Sequence, residues 1–161
     1  MIIPHYYEDP HILHENTMPN RAYYVPASKR MDNLIEHREQ SDRLQLLNGN
    51  CKFRYYKSIY DLQDEFYKTD YPVEEYDTVP VPGVWQNYGY ESHQYIESDY
   101  PFPVDPPYVP LDNPCGAYIH KFPYKTNAVA PKVYLEFEGV DSCFYVWLNG
   151  TYVGYGQVSH S

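Results

Sequence analysis

Cys143-Phe144-Tyr145-Val146-Trp147-Leu148-Asn149-Gly150-Thr151-Tyr152-Val153-Gly154-Tyr155 is the stretch whose reading decides the fold. Residues 143–148 are apolar or aromatic without a charge, which predicts a strand covered on both faces. Asn149-Gly150 readily takes the positive φ angles of a type I′ turn, so 151–155 returns as the partner strand. Just upstream, Val133, Leu135 and Phe137 share one face, with Glu136 and Glu138 on the other. That alternation predicts a half-buried strand over 133–138.

The same signals recur towards the amino terminus. Cys51 to Tyr56 alternates after an Asn48-Gly49 turn, a further strand. Ser58 and Asp61 have capping-box spacing, and Leu62 and Phe66 are four apart, so a short helix is predicted over 59–67. Thr78 to Val84 reads as extended and leads into Trp85; Ala117 to Phe122 alternates weakly. Six prolines between Tyr100 and Pro114 exclude a central strand and predict a long ordered loop. The 21 tyrosines suit strands, and the 15 prolines forbid long helices. The fold class is mainly β, an antiparallel sandwich of short strands.

Residues 1–27, with four prolines and no periodicity, read as an extended arm that must lie on the domain surface or on another subunit. Residues 28–46 are polar and read as a surface loop or a short helix. The division is therefore an arm and surface segment over 1–45 and a sandwich domain over 46–161.

Composition narrows the function. A net charge of -10 with only 12 Lys plus Arg argues against nucleic acid, which needs a basic footprint. A mean hydropathy of -0.67 and the lack of a long apolar window argue against a membrane span. Met1 to Pro10 lacks the pattern of a secretory signal, and three cysteines without metal or redox spacing read as reduced thiols. A cytoplasmic location is expected.

Four segments, taken together, resemble the amino-terminal jelly-roll domain of the large β-galactosidases of glycoside hydrolase family 2. They are Leu46-Leu47-Asn48-Gly49 with Phe53; Val81-Pro82-Gly83-Val84-Trp85-Gln86 with Gly89-Tyr90; Tyr100 to Pro110 continuing to Asn113-Pro114-Cys115-Gly116-Ala117-Tyr118; and Phe137 to Ser142 running through Trp147-Leu148-Asn149-Gly150 to Gln157. The resemblance implies a galactose-binding-domain-like jelly roll lacking its last strands. It also implies a non-catalytic role beside a (β/α)₈ barrel carrying two catalytic glutamates outside this chain. Mg²⁺ and a monovalent cation such as Na⁺ are implied for the parent enzyme, as are a β-galactoside substrate and a homo-oligomer. Where the family has an Asn that hydrogen-bonds the galactosyl unit, this chain has Glu97, which when ionised can only accept. Where the family usually has Trp, it has Cys51.

The residues themselves offer no catalytic set. Glu74 with Glu75, and Glu136 with Glu138, read as solvated carboxylates rather than a glycosidase pair. His5, His11 and His14 sit in a polar arm and read as surface residues. A stand-alone carbohydrate-binding module and a purely structural interaction domain stay open as alternatives.

Overall fold

The computed structural model describes residues 2–93 and 102–159, which form two antiparallel three-stranded sheets. The strands are β1 (His14–Glu15), β2 (Gly49–Tyr56), β3 (Asp77–Val81), β4 (Cys115–Ile119), β5 (Cys143–Leu148) and β6 (Thr151–Gln157). One sheet runs β3-β2-β4 and the other β1-β6-β5. The only helical pieces among the described residues are short 3-10 turns. A mainly β sandwich is thus observed.

The decisive hairpin forms as its sequence dictates. Asn149 at φ 50° and Gly150 at φ 81° make the turn, and β5 pairs with β6 from Leu148↔Thr151 to Cys143↔Gln157. Val146 faces Gly154 while Trp147 faces Tyr152, so the register shifts at a bulge. On one face of β5, Tyr145 and Trp147 pack towards the other sheet, whose Tyr56 and Ala117 are buried in the shared core with Ile3, Ile59, Leu62 and Tyr76. On the other face, Phe144 meets Phe137 with ring centroids 4.8 Å apart.

Two sequence expectations fail for physical reasons. The helix over 59–67 is only a 3-10 turn, Ile59–Asp61, although Ser58 does cap it by accepting from the Tyr60 N–H at 3.2 Å. Beyond Leu62, consecutive residues Phe66 and Tyr67 both pack on the Trp147 ring, at 5.5 and 5.3 Å. Adjacent residues on a helix do not share a face, so this grip is incompatible with continuing the helix. The strand over 133–138 is also not formed, and Val133, Leu135 and Phe137 are exposed. Among the described residues no strand pairs with it, and an isolated strand has no ladder to satisfy its backbone. Instead Glu136 lies 3.6 Å from Arg21 and Glu138 bonds Arg38, so these carboxylates are paired rather than merely solvated.

The first half of the arm lies on the domain itself. Ile3 is buried in the core, the Pro4 carbonyl accepts from the Tyr145 hydroxyl at 2.7 Å, and β1 pairs with β6. The Gln157 side chain donates to the Asp9 and Ile12 carbonyls at 3.2 and 2.7 Å. Residues 17–24, by contrast, are exposed, Met18, Tyr23 and Tyr24 included.

Replacing Gly150 with Val places a β-branched residue at positive φ, and nothing but ordinary contacts surround the added Cβ. The melt should then register a loss of about 1–3 kcal/mol from backbone strain alone. Burial also pushes the Cys115 thiol up from 9.0 to about 12. Burial, followed by the hydrogen bond and charge of Asp77, pushes Tyr90 up from 10.0 to about 12. Above pH 9.0 the unfolded chain therefore releases protons that the folded chain retains, and stability must fall as pH rises towards about 12. Thermal melts across that range, with phenolate absorbance recorded alongside, should show ionisation accompanying unfolding and not preceding it.

Candidate functional site: the root of the 91–110 loop

The outward face of the β3-β2-β4 sheet carries Cys51, Phe53 and Tyr55 from β2, with Tyr118 and Gly116 opposite them on β4. Phe53 is fully buried although it lies on the face turned away from the other sheet. Tyr118, Tyr90 and Trp85 enclose it, at centroid distances of 4.6, 4.8 and 6.3 Å. Gly116 makes this possible: a Cβ there would stand 2.5 Å from the Phe53 ring and 3.1 Å from that of Trp85.

Trp85 arrives on the 3-10 turn Trp85–Tyr88, which Gly89 ends at φ 86°. The Tyr88 hydroxyl donates to the Pro80 carbonyl at 3.1 Å, and that of Tyr90 to Asp77 Oδ2 at 2.7 Å. The next residue supplies the lock. One oxygen of Glu91, Oε2, accepts from Trp85 Nε1 at 2.9 Å and from Gln86 Nε2 at 3.0 Å. Its charge helps raise the Tyr55 hydroxyl pKa, after the larger effect of burial. Glu91 thus fixes the chain two residues before the described part ends, and Glu97, the sugar-contact candidate, lies outside the described residues.

The far side of the loop is ordered, as its prolines predict. No strand forms over 103–114; the Val109 N–H donates to Glu8 at 3.2 Å, and the Ile59 N–H to the Asn113 carbonyl at 2.8 Å. Val104, Tyr108 and Leu111 stand exposed along it.

Among the described residues no catalytic constellation accompanies this scaffold. Cys51 Sγ lies 3.7 Å from His120 Nδ1, but burial raises the pKa of the thiol and so disfavours a thiolate. His5 pairs with Glu8 at 3.3 Å, while His14 is in β1. Among the described residues no group of three or more His, Cys, Asp or Glu is placed to hold a metal ion. No helix among them is long and apolar enough to cross a membrane.

Two antiparallel sheets with an aromatic shell around Phe53 define a small β-sandwich domain. The chain matches the family model "Glycosyl hydrolases family 2, sugar binding domain" over residues 44–161, and it belongs to that family. It is 44% identical over 164 residues to a β-galactosidase of Actinobacillus pleuropneumoniae, covering 100% of this chain and 15% of that protein. A β-galactosidase of Staphylococcus xylosus is 40% identical over 162 residues, covering 100% and 16%. One from Leuconostoc mesenteroides is 35% identical over 158 residues, covering 96% and 15%. The chain therefore spans about one-sixth of the length of the curated relatives it matches.

Sequence reasoning found the Trp85 motif and Tyr90 but missed Glu91 and Asp77. The available signal was chemical: an indole N–H, a carboxamide and a phenol set inward each need an acceptor. Glu91→Ala removes the acceptor from two half-buried donors. It should cost about 1–3 kcal/mol in a denaturant melt and shift the tryptophan emission, whereas Glu91→Gln should recover part of the loss.

Proposed function

We propose that this chain is the amino-terminal, non-catalytic domain of a β-galactosidase that hydrolyses terminal β-D-galactosides such as lactose. Its part is to shape the substrate pocket and to support assembly. The observation that carries the reading is the match, end to end, with the Actinobacillus β-galactosidase of which it spans 15%. The retaining mechanism, with its two glutamates, and any Mg²⁺ or Na⁺ would belong to the remainder of the polypeptide. Such chemistry needs two carboxyl groups roughly 5 Å apart, one as nucleophile and one as acid/base. We read the parent as cytoplasmic and homo-oligomeric. The exposed Met18, Tyr23 and Tyr24 support an arm whose second half meets another subunit or domain.

Glu97 is placed on the pocket side of the loop in this reading. Supporting it is the lock at Glu91, six residues earlier in the sequence, which holds the loop's root against the sheet. An amide at 97 would donate to a sugar hydroxyl without adding negative charge beside the catalytic carboxylates. Glu97→Asn in the full enzyme should therefore lower KM for a galactoside; an unchanged KM would take the residue out of the pocket.

The decisive experiment mixes the purified 161-residue chain with the remainder of the parent polypeptide and a chromogenic galactoside. No turnover is expected from the chain alone, and turnover is expected on mixing. Hydrolysis by the rigorously purified chain alone would overturn the assignment of a non-catalytic role.

A further inference from the structure

We propose that the cleft beside β3 is a saccharide subsite. The pairing of β2 with β3 ends at Phe53↔Asp77, and beyond it the two strands part. The gap is a cleft of about 380 Å³, at the lower end of the roughly 300–1,000 Å³ of small-molecule sites and suited to a mono- or disaccharide.

Its lining combines rings and carboxylates, which serve the two sides of a neutral sugar. Tyr55 and Tyr90 stand side by side as half-buried rings, centroids 5.9 Å apart and planes 29° apart, with Phe53 beneath. Such a wall covers the apolar C–H face of a pyranose. Glu75 and Asp77 bring carboxylates that accept from hydroxyls. The site is held in place before any ligand arrives: the Tyr90 hydroxyl is committed to Asp77 Oδ2, which fixes that ring beside β3. Glu75 is exposed and takes no hydrogen bond or ion pair among the described residues, so its oxygens are available to a ligand.

Other ligand classes fit less well. Two carboxylates, on a chain of net charge -10, repel phosphates and acidic peptides. Two carboxylates are too few ligands for a metal ion, and among the described residues no group of three or more His, Cys, Asp or Glu could hold one. A purely apolar ligand would strip water from both carboxylates without pairing them. A neutral polyol donates to both and still uses the rings. In so shallow a cleft affinity should be modest, with a dissociation constant on the order of millimolar.

The galactosidase reading enters only in the choice of galactosides as first probes. The test titrates the 161-residue chain with lactose, D-galactose and D-glucose, following saturation-transfer NMR and the emission of Trp85, which packs 5.8 Å from Tyr55. Saturable millimolar binding of at least one sugar is expected. Glu75→Gln should weaken it at least five-fold without altering the fold, because Glu75 is exposed, and Asp77→Asn should weaken it at least as much. Glu36→Gln, on the polar surface segment, should leave it unchanged. Absence of saturable binding to all three sugars would overturn the proposal, as would binding indifferent to both cleft substitutions. Either result is independent of whether mixing with the rest of the polypeptide restores hydrolysis, so the two readings fail separately.

Discussion

One buried ring holds the outer half of the domain together. Phe53 points away from the inter-sheet core, yet it is completely enclosed by Tyr118, Tyr90 and Trp85. Burying an aromatic ring of this size stabilises by about 1.5–3 kcal/mol, and that burial requires the segment 82–91 to lie flat on the sheet. Everything that follows in the chain inherits this placement. The Trp85 turn sets Glu91, Glu91 fixes the start of the long loop, and Tyr90 becomes a wall of the cleft beside β3. The absent side chain of Gly116 is the steric condition for the whole arrangement.

A second aromatic system does the corresponding work between the sheets. Tyr145 packs 4.7 Å from Tyr155, and Trp147 is gripped by Phe66 and Tyr67. The arm completes it, with Tyr6 edge-on to Tyr155 at 5.4 Å. Tyr56, Tyr76 and Tyr155 are buried core residues, while others such as Tyr23, Tyr108 and Tyr134 stand exposed. The high tyrosine content is by itself a poor guide to a sugar platform; the cleft is distinguished by the carboxylates around its rings.

What was legible in the sequence follows the range of the forces involved. The Asn149-Gly150 hairpin and the described part of the proline-rich loop depend on local backbone preference and formed where they were expected, and β2 formed as well, although Gly49 opens that strand instead of making the turn expected at Asn48-Gly49. The helix over 59–67 was mispredicted because Trp147, some eighty residues away in sequence, claims both Phe66 and Tyr67. The strand over 133–138 has the correct alternation, but a pattern specifies a face and cannot supply the neighbouring strand. Glu136 and Glu138 were recognised as surface residues, while their arginine partners, 115 and 100 positions distant by their numbers, were not readable from spacing. At the site, the motif residues were legible and their acceptors were not, since Asp77 and Glu91 carry no local signature.

The sheet β1-β6-β5 has a temporal consequence. The Asn16 side chain bonds the Val153 carbonyl across 137 residues, and Gln157 reaches the Asp9 carbonyl across 148. The sheet β3-β2-β4, by contrast, draws only on residues between Gly49 and Ile119. During synthesis that sheet has all of its strands well before β5 and β6 leave the ribosome, while the arm waits without its partner strand. Loop closure over such separations is entropically costly and slow, so the aromatic residues of the arm stay uncovered throughout that interval. A nascent chain of this kind is most exposed to chaperones, and to misassembly with its neighbours, at its oldest end.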